Sequence, residues 1–300
     1  MSDAAAPKGN IAVTGALGFV ASRLLPRLAS GGAHVIALVR PGRDASELAA
    51  FGAEVRRAEL DRPESLGEAF TGADAVVHLA GLALVPAMLP AIVAAGVPRG
   101  VFVSSAGVKT QLVSSGADAK RAGEQALRDA ALGYTILRPS MIYGTPRDRN
   151  LVRLLRLLER WPLVPSPLGG ITPQQPVHVD DLVDAILASL VRPEAVRREY
   201  DLGGPEPIAL RDVIHECARA LGRPSAILPI PLAPAHALAV AARRLRLPFP
   251  VRPEQVLRLA ESKAVDIGPA RRDLGFAPRS FRDGITAEAA MLRAKGQREA

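Results

Sequence analysis

Residues 10–21 place a short apolar run, at 11–13, directly before a glycine turn, and an apolar helical pattern opens at Phe19. This succession predicts a strand, a tight turn and a helix N-terminus. Gly15 can take a backbone conformation closed to other residues, and Gly18 lets the backbone approach a phosphate without a Cβ in the way. The first N–H groups of a helix have no partner within it. The segment therefore predicts a nucleotide phosphate site.

The first half of the chain alternates strand patterns with helix patterns. Strands are predicted at 10–14, 34–39, 53–57, 74–79, 99–104 and 134–138, and helices at 18–30, 44–51, 63–70, 84–95 and 116–131. This alternation predicts an α/β fold with a doubly wound parallel sheet. Right-handed crossovers then place the strand carboxyl ends along one edge, where ligands bind.

After Pro139 the rhythm changes. Helices are predicted at 151–161, 180–191, 210–221, 233–245, 253–260 and 269–274, and strands near 199–202 and 226–230, with a Pro/Gly-rich loop at 165–176. A chain of 300 residues is near the upper limit for a single hydrophobic core. We therefore expect a nucleotide-binding core at 1–140 and a smaller C-terminal lobe at 141–300, with 177–200 returning to the core.

Net charge and cysteine content limit the partners and the compartment that are expected for this chain. The formal net charge is +8, but the arginines are scattered and no block of lysines is interleaved with aromatics, so we expect no nucleic acid. The single Cys217 rules out an internal disulfide and fits a reducing compartment. His215, two residues before Cys217, lies on a different face of the same predicted helix, so the two residues are not expected to bind a metal. The sequence shows no signal-type segment and no membrane-spanning window, which makes the cytoplasm the expected location.

Six segments occur in an order that resembles one family: 14–21, 76–81, 103–106, 137–144, 176–182 and 266–279. The chain is similar to the extended short-chain dehydrogenase/reductases, the NAD(P)-dependent nucleotide-sugar epimerases, dehydratases and reductases. The resemblance implies a Rossmann-type sheet with a small C-terminal substrate lobe. It also implies a small-molecule substrate such as a sugar nucleotide, bound by a monomer or a homodimer.

The resemblance carries over to individual positions. The cofactor-binding positions that it implies are Gly15, Leu17, Gly18, Phe19, Leu60, Asp61, Leu79, Ala80, Gly81, Ser104, Lys120, Pro139 and Ser140. Ser105 matches the position whose hydroxyl holds a substrate oxygen, and Lys120 matches the lysine that grips the nicotinamide ribose. His178 lies in the segment that approaches cofactor and substrate in the family.

Charge at the end of the second strand distinguishes the two cofactors. An NAD site usually carries an acid there that accepts from the ribose hydroxyls. Here Arg40 and Arg43 stand in that region, with no acid before Asp44. Two arginines can pair with a 2′-phosphate, so NADP(H) is favoured over NAD(H). The alternative is that both are solvated surface charges.

One departure from the family pattern concerns proton transfer. The family places a tyrosine four residues before the lysine, as general acid and base. That position is Gly116, and none of Tyr134, Tyr143 and Tyr200 is followed by a lysine four residues later. The segment between Ser105 and Lys120 is also shorter than is usual in the family. The usual catalytic apparatus is therefore incomplete.

Three readings remain open. In the first, the chain is an enzyme that uses Ser105 and Lys120 with a substitute acid or base, for which the sequence offers Tyr143, His178, Lys109, Ser114 and Ser115. Arg147, Arg149 and Arg153 then serve either to pair with a substrate diphosphate or as an exposed basic face. In the second, the protein binds NADP(H) without turnover, as a sensor or assembly subunit.

The third reading adds a peripheral contact with a membrane. Residues 151–161 and 235–247 are basic, rich in leucine or alanine, and helical in pattern. Such helices can lie in an anionic interface. The alternative is that their leucines pack inward while their arginines are solvated.

Overall fold

The computed structural model describes residues 6–148, 150–245 and 253–299. Arg149 and the end of the 235–247 segment lie outside these ranges. The first half of the chain alternates strands and helices: β1 (Gly9–Thr14), α1 (Ala21–Ser30), β2 (Ala33–Val39), α2 (Ser46–Ala49), β3 (Glu54–Arg57), β4 (Ala75–His78), α3 (Val85–Ala94), β5 (Arg99–Val103), α4 (Ser115–Asp129) and β6 (Gly133–Pro139).

The second half is richer in helix. It contains β7 (Ile142–Tyr143), α5 (Leu151–Arg160), β8 (Leu163–Pro167), β9 (Pro173–Gln174), β10 (Val177–His178), α6 (Val179–Val191), β11 (Arg198–Leu202), β12 (Ile208–Ala209), α7 (Leu210–Ala220), β13 (Ala226–Ile230), α8 (Leu232–Arg244), α9 (Pro253–Leu259), α10 (Gly268–Leu274) and α11 (Phe281–Glu299).

Two helix predictions need correction. The helix predicted at 63–70 is only a 3-10 turn over Pro63–Ser65, in a segment that Pro63 opens and Gly67 interrupts. Proline is tolerated at the first turn of a helix, whereas Gly67 in its interior disfavours continuation. Conversely, α11 was not predicted, and its sequence contains two glycines and a weak apolar stripe. Its buried residues Ile285 and Ala289 show that packing stabilises it.

The strands of the first half form one parallel sheet with β11. The order is β11-β6-β5-β4-β1-β2-β3, and all six pairings are parallel. The predicted α/β fold with a doubly wound parallel sheet is confirmed. Strand β4 is buried throughout, as expected for a parallel sheet covered on both faces. The carboxyl ends of all these strands lie along one edge.

The chain divides into two compact units. Unit 1 comprises the chain up to Pro139 together with Val179–Leu202 and Asp266–Ala277, and so contains the whole seven-stranded sheet. Unit 2 comprises Ser140–His178, Gly203–Val265 and the chain from Pro278 onward. Its core joins α5, α7 and α11, with Cys217 buried among their side chains. Among the residues that the structure describes, none of the helices has the length and apolar character needed to cross a bilayer.

Candidate functional site

The glycine turn after β1 has the geometry that its sequence predicts. Gly15 has a φ of +69°, and the Gly18 N–H donates to the Gly15 carbonyl oxygen at 2.8 Å. A Cβ on Gly15 would lie 3.0 Å from the Ala80 nitrogen, so the β1 and β4 loops leave no room for a side chain there. Helix α1 follows with no side-chain cap from Val20. The Ser22 and Arg23 N–H groups donate to the Gly18 and Val20 carbonyl oxygens, so this arrangement fits an anion that accepts from N–H groups preceding Ser22.

A buried histidine ties the two loops together. Nδ1 of His78 lies 2.8 Å from the Thr14 hydroxyl, and Nε2 lies 2.9 Å from the Gly81 carbonyl oxygen. Burial lowers the pKa of His78 to about 4, so the ring is neutral at pH 7. A neutral ring satisfies both contacts when Nε2–H donates to Gly81 and Nδ1 accepts from Thr14. The Thr14 hydroxyl oxygen also accepts from the Leu79 N–H at 3.3 Å.

At the end of β2 the structure gathers three arginines. Arg40 and Arg43 are exposed, and Nη1 of Arg57 donates to both of their carbonyl oxygens, at 3.4 and 2.6 Å. Asp44 turns the other way, because its carboxylate accepts from the Ser46 N–H at 2.9 Å. That hydrogen bond lowers the pKa of Asp44. Among the described residues, no acid forms an ion pair with Arg40 or Arg43.

The two serines after β5 have different partners. The Ser105 hydroxyl oxygen accepts from the Gly107 N–H at 3.1 Å and caps a 3-10 turn. A hydroxyl that accepts can still donate its proton, so Ser105 is suited to hold a substrate oxygen. Ser104 instead donates to the buried Glu124 at 2.7 Å.

A buried ionic network lies beside these serines, and sequence reasoning missed it. Arg138 donates to both Glu124 oxygens, at 2.8 and 2.6 Å, and also to Glu199. Arg128 binds Glu199 through two nitrogens, at 2.7 and 3.0 Å. Burial opposes the charge of Arg138, but its bonds to Glu124 and Glu199 raise its pKa above the usual value. The Arg128 hydrogen bond lowers the pKa of Glu199.

Helix α4 contains Lys120, which matches the lysine that the resemblance implies, and Gly116, which stands where the resemblance implies a tyrosine. Lys120 is half-buried on this helix, one turn after Gly116. Gly116 is exposed, and a Cβ there would find only the Ser114 hydroxyl, at 4.0 Å. Ser114 caps the helix by accepting from the Ala117 N–H. Lys109 forms an ion pair with Asp201 at the end of β11.

Tyr143 and His178 lie together in unit 2. They are in register on the paired strands β7 and β10, and their rings meet edge-on with centroids 5.3 Å apart. Tyr143 is fully buried and also contacts Phe281, at 5.2 Å between centroids. A Cβ on Gly284 would overlap the Tyr143 hydroxyl, so α11 passes directly over this ring.

A second buried acidic group, Glu288, also missed by sequence reasoning, contacts the residue that follows Tyr143. Glu288 accepts from the Gly144 N–H at 2.7 Å. Burial, together with the neighbouring Asp148, raises the pKa of Glu288 to about 9. Asp148 itself accepts from the first N–H groups of α5, including that of Leu151 at 2.8 Å. The neutral Glu288 therefore connects α11 to the segment after β7.

The other predicted positions differ in exposure. Leu60 belongs to the core of unit 1, whereas Asp61 is exposed. Leu17 and Phe19 are half-buried, and Pro139 is buried at the end of β6. Ser140 donates to the Gln175 carbonyl oxygen in unit 2. No group of three or more His, Cys, Asp or Glu side chains within the described ranges is arranged to hold a metal ion.

Known proteins resemble a large part of this chain. Residues 15–157 match a family model described as NAD(P)H-binding. The ceramide reductase of Caulobacter vibrioides is 32% identical over 195 residues, which cover 60% of this chain and 61% of that protein. The mitochondrial NADH dehydrogenase (ubiquinone) 1 alpha subcomplex subunit 9 of Arabidopsis thaliana is 31% identical over 174 residues, 57% of this chain and 43% of that protein. The matched segments thus span less than two thirds of these relatives.

Solved structures extend the likeness to nearly the whole chain. A nucleoside-diphosphate-sugar epimerase from Pseudomonas aeruginosa superimposes with a TM-score of 0.78, over 97% of this chain and 99% of that one. Its identity of 21% shows the fold alone. Residues 15–157 therefore resemble an NAD(P)H-binding domain, and nearly the whole chain shares the Rossmann-type fold of this solved structure. The predicted resemblance is confirmed at this level.

Proposed function

We propose that the protein binds NADP(H) along the carboxyl edge of the unit 1 sheet and reduces a carbonyl of a sugar nucleotide or a similar anionic metabolite. The observation that carries the proposal is the glycine turn at Gly15, which is packed against Ala80 and followed by the uncapped start of α1. When bound, the cofactor supplies hydride. The chain supplies the anion site, the ribose contact and a hydroxyl for the substrate oxygen.

The arginines at the end of β2 support NADP(H) over NAD(H). Arg40 and Arg43 belong to a turn that Arg57 braces through its carbonyl oxygens. Asp44, the nearest acid, is engaged with Ser46. The turn therefore presents unneutralised positive charge where a 2′-phosphate would lie, and guanidinium groups are suited to bind phosphate.

Ser105 and Lys120 are the proposed catalytic residues. Both are half-buried in unit 1, one after β5 and the other on α4. In this proposal Ser105 would donate a hydrogen bond to the carbonyl oxygen and Lys120 would orient the nicotinamide ribose. Transfer of hydride to the carbon would leave an alkoxide oxygen, which would take its proton from water or from one of the substitute acids that the sequence offers. His178 and Tyr143 remain proposed site residues, and their burial suits a positioning role. The structural relative's description as a nucleoside-diphosphate-sugar epimerase supports the substrate class.

Fluorescence titration with NADPH and with NADH tests the cofactor. We expect tighter binding of NADPH, and a loss of roughly tenfold in its affinity in the double variant Arg40→Gln/Arg43→Gln, since each charge-assisted bond contributes on the order of a kcal/mol at an exposed site. NADH binding should not change. The double variant Arg62→Gln/Arg272→Gln removes the same charge elsewhere in unit 1 and is the control. Tighter NADH binding by the unchanged protein would contradict the phosphate assignment.

Turnover with NADPH and a panel of keto-sugar nucleotides tests the chemistry. Ser105→Ala should abolish turnover while leaving NADPH affinity unchanged. Gly116→Tyr should raise the rate, because it places a phenol one turn before Lys120 at a position where a Cβ meets open space. Gly116→Phe is the matched control, since it adds the ring without the hydroxyl.

A second candidate function is cofactor binding without turnover. It is favoured by the burial of all three tyrosines, Tyr134, Tyr143 and Tyr200, which leaves no exposed phenol to replace the one absent at Gly116. The matched Arabidopsis relative is named as a subunit of NADH dehydrogenase. Tight NADPH binding with no turnover on any substrate of the panel would select this function.

A further inference from the structure

Unit 2 exposes large apolar side chains from the second half of α5 to the first residue of β8. Leu157 is 40% exposed, Trp161 is 64% exposed and Leu163 is 48% exposed. Trp161 is the only tryptophan of the chain. Leu151, Leu155 and Leu158 on the opposite face of α5 are buried in the core of unit 2. The core therefore accounts for the inward leucines of α5 but not for the outward ones.

Helix geometry joins these outward residues into one stripe with three arginines. Residues three and four apart on a helix are neighbours. Leu157 thus lies beside Arg153 and Arg160, with Trp161 one turn further on. Arg156, next to Leu157 along the chain, is exposed as well. The outward face of α5 therefore carries these four residues together with the exposed Glu159, and it ends in Trp161.

The strand pair that follows α5 also exposes apolar side chains. Strand β8 pairs in parallel with β13, with Leu163 opposite Ala226 and Pro165 opposite Leu228. Alternate residues of a strand share a face, so these four side chains lie on one side of the pair. Leu228 is 45% exposed, which places this side in solvent. We call the outward face of α5, together with these residues, the α5–β8 surface.

Charge on this surface indicates the chemistry of its partner. Within the part of the chain that the structure describes, Arg153, Arg156 and Arg160 form no ion pair with an acid. Glu159 is the only acid of α5. Exposed leucines and a tryptophan flanked by unneutralised arginines are typical of a helix that lies in the headgroup region of an anionic bilayer. An apolar protein partner would leave the arginines without counter-charges, and a nucleic acid would not use the leucines.

We propose that the α5–β8 surface docks onto an anionic lipid surface. Trp161, Leu157 and Leu163 enter the interface between headgroups and acyl chains, while the three arginines bind lipid phosphates. The contact is peripheral and goes beyond the proposed nucleotide chemistry, since it lies in unit 2 and uses none of the nucleotide-binding residues. Binding should therefore be independent of NADPH.

Co-sedimentation of the full chain with vesicles tests this proposal. We expect binding to vesicles of mixed phosphatidylcholine and phosphatidylglycerol, weakened by added salt, and little binding to phosphatidylcholine alone. Arg153→Gln/Arg156→Gln should weaken binding roughly 30-fold, from about a fivefold loss for each arginine near an anionic surface. Trp161→Ser should weaken it at least about tenfold.

Two controls separate docking from general effects. Arg62→Gln/Arg272→Gln removes equal charge from unit 1 and should bind within about twofold of the unchanged protein. All these side chains are exposed, so the thermal midpoints should match. Absence of binding to the anionic vesicles at low salt would overturn the proposal, as would equal losses in the control. A concentration-dependent dimer that Trp161→Ser dissociates would also overturn it, because the surface would then be covered by a second copy.

Discussion

Two neighbouring parts of the carboxyl edge of the unit 1 sheet, at β1–β4 and at β5–β6, are built differently. At β1–β4, His78 contacts Thr14 and Gly81, and Gly15 packs against Ala80 beside the proposed phosphate position. At β5–β6, Ser104 donates to Glu124 of the buried ionic network, and Gly116 stands four residues before Lys120, where the resemblance predicts a tyrosine. The proposed cofactor binding and the proposed chemistry thus use separate parts of one edge, and evidence for one does not establish the other.

The two parts of the edge differ because substitutions at Gly15 and at Gly116 have different effects on the stability of the fold. Gly15 supports a turn with positive φ and a backbone contact, so almost any substitution there disturbs the fold. Gly116 lies at the exposed start of a helix with open space around it. A catalytic tyrosine at such a position makes little contribution to folding, so its absence leaves the Rossmann fold intact. Catalysis therefore needs evidence of its own, whereas cofactor binding is indicated by the fold.

The largest effect on stability should come from the buried ionic network at β5–β6. Glu124→Gln should lower the free energy of unfolding by about 3 kcal/mol, because it removes one of the two carboxylates that compensate the buried Arg138 charge. Glu59→Gln, in the more exposed pair with Arg62, is the control and should change stability by less than about 0.5 kcal/mol. Urea denaturation measures both. Equal losses of stability in the two variants would show that the network does not stabilise the β5–β6 part of the edge.

The buried His78 at β1–β4 should make the free energy of unfolding depend on pH. The pKa of His78 is lowered from 6.5 to about 4 in the fold, so between these values the unfolded chain takes up a proton that the folded chain does not. Stability should therefore fall as the pH drops from 6.5 to 4, by up to about 3 kcal/mol from this group. The variant His78→Asn should show a correspondingly shallower fall, measured by denaturation at several pH values. Parallel curves for the two proteins would mean that His78 is not buried neutral.

Gly15→Ala tests the turn itself. We expect a loss of about 1–2 kcal/mol in stability from a side chain in the left-handed region, with a further loss from the contact with Ala80. NADPH affinity should fall at least about tenfold, because the distorted turn no longer directs its N–H groups at the phosphate. Calorimetry and fluorescence titration measure the two effects. Unchanged NADPH affinity in the Gly15→Ala variant would remove the turn from the binding site.

The smallest effect is expected at Gly116. Gly116→Ala should raise the free energy of unfolding by about 0.5–1 kcal/mol, since alanine favours the helix and its Cβ meets no neighbour. NADPH affinity should stay the same. Thermal denaturation beside the Gly15→Ala variant makes the comparison direct. A clear loss of stability or of affinity at Gly116 would show that this glycine has a structural role and is more than an absent tyrosine.

Much of unit 1 was predictable from local pattern. The predicted strands of the first half agree with β1–β6 to within about a residue at most ends, because apolar runs and glycine turns are local signals. Helix α11 was not, since its glycines weaken the pattern and its stability comes from contacts with α7. The Glu124–Arg138–Glu199 network could not be predicted either, because its members come from α4, β6 and β11 and meet only when those elements pack.

The sequence by itself determined the class of fold, the glycine turn and the absence of a Tyr-x-x-x-Lys motif, because each depends on residues close together in the chain. Tertiary structure decided the rest. It made His78 a neutral clamp and raised the pKa of Glu288, and it buried every tyrosine while exposing Trp161 beside three arginines. Burial, protonation and exposure depend on neighbours that are distant in the chain. They are set only when the strands and helices come together.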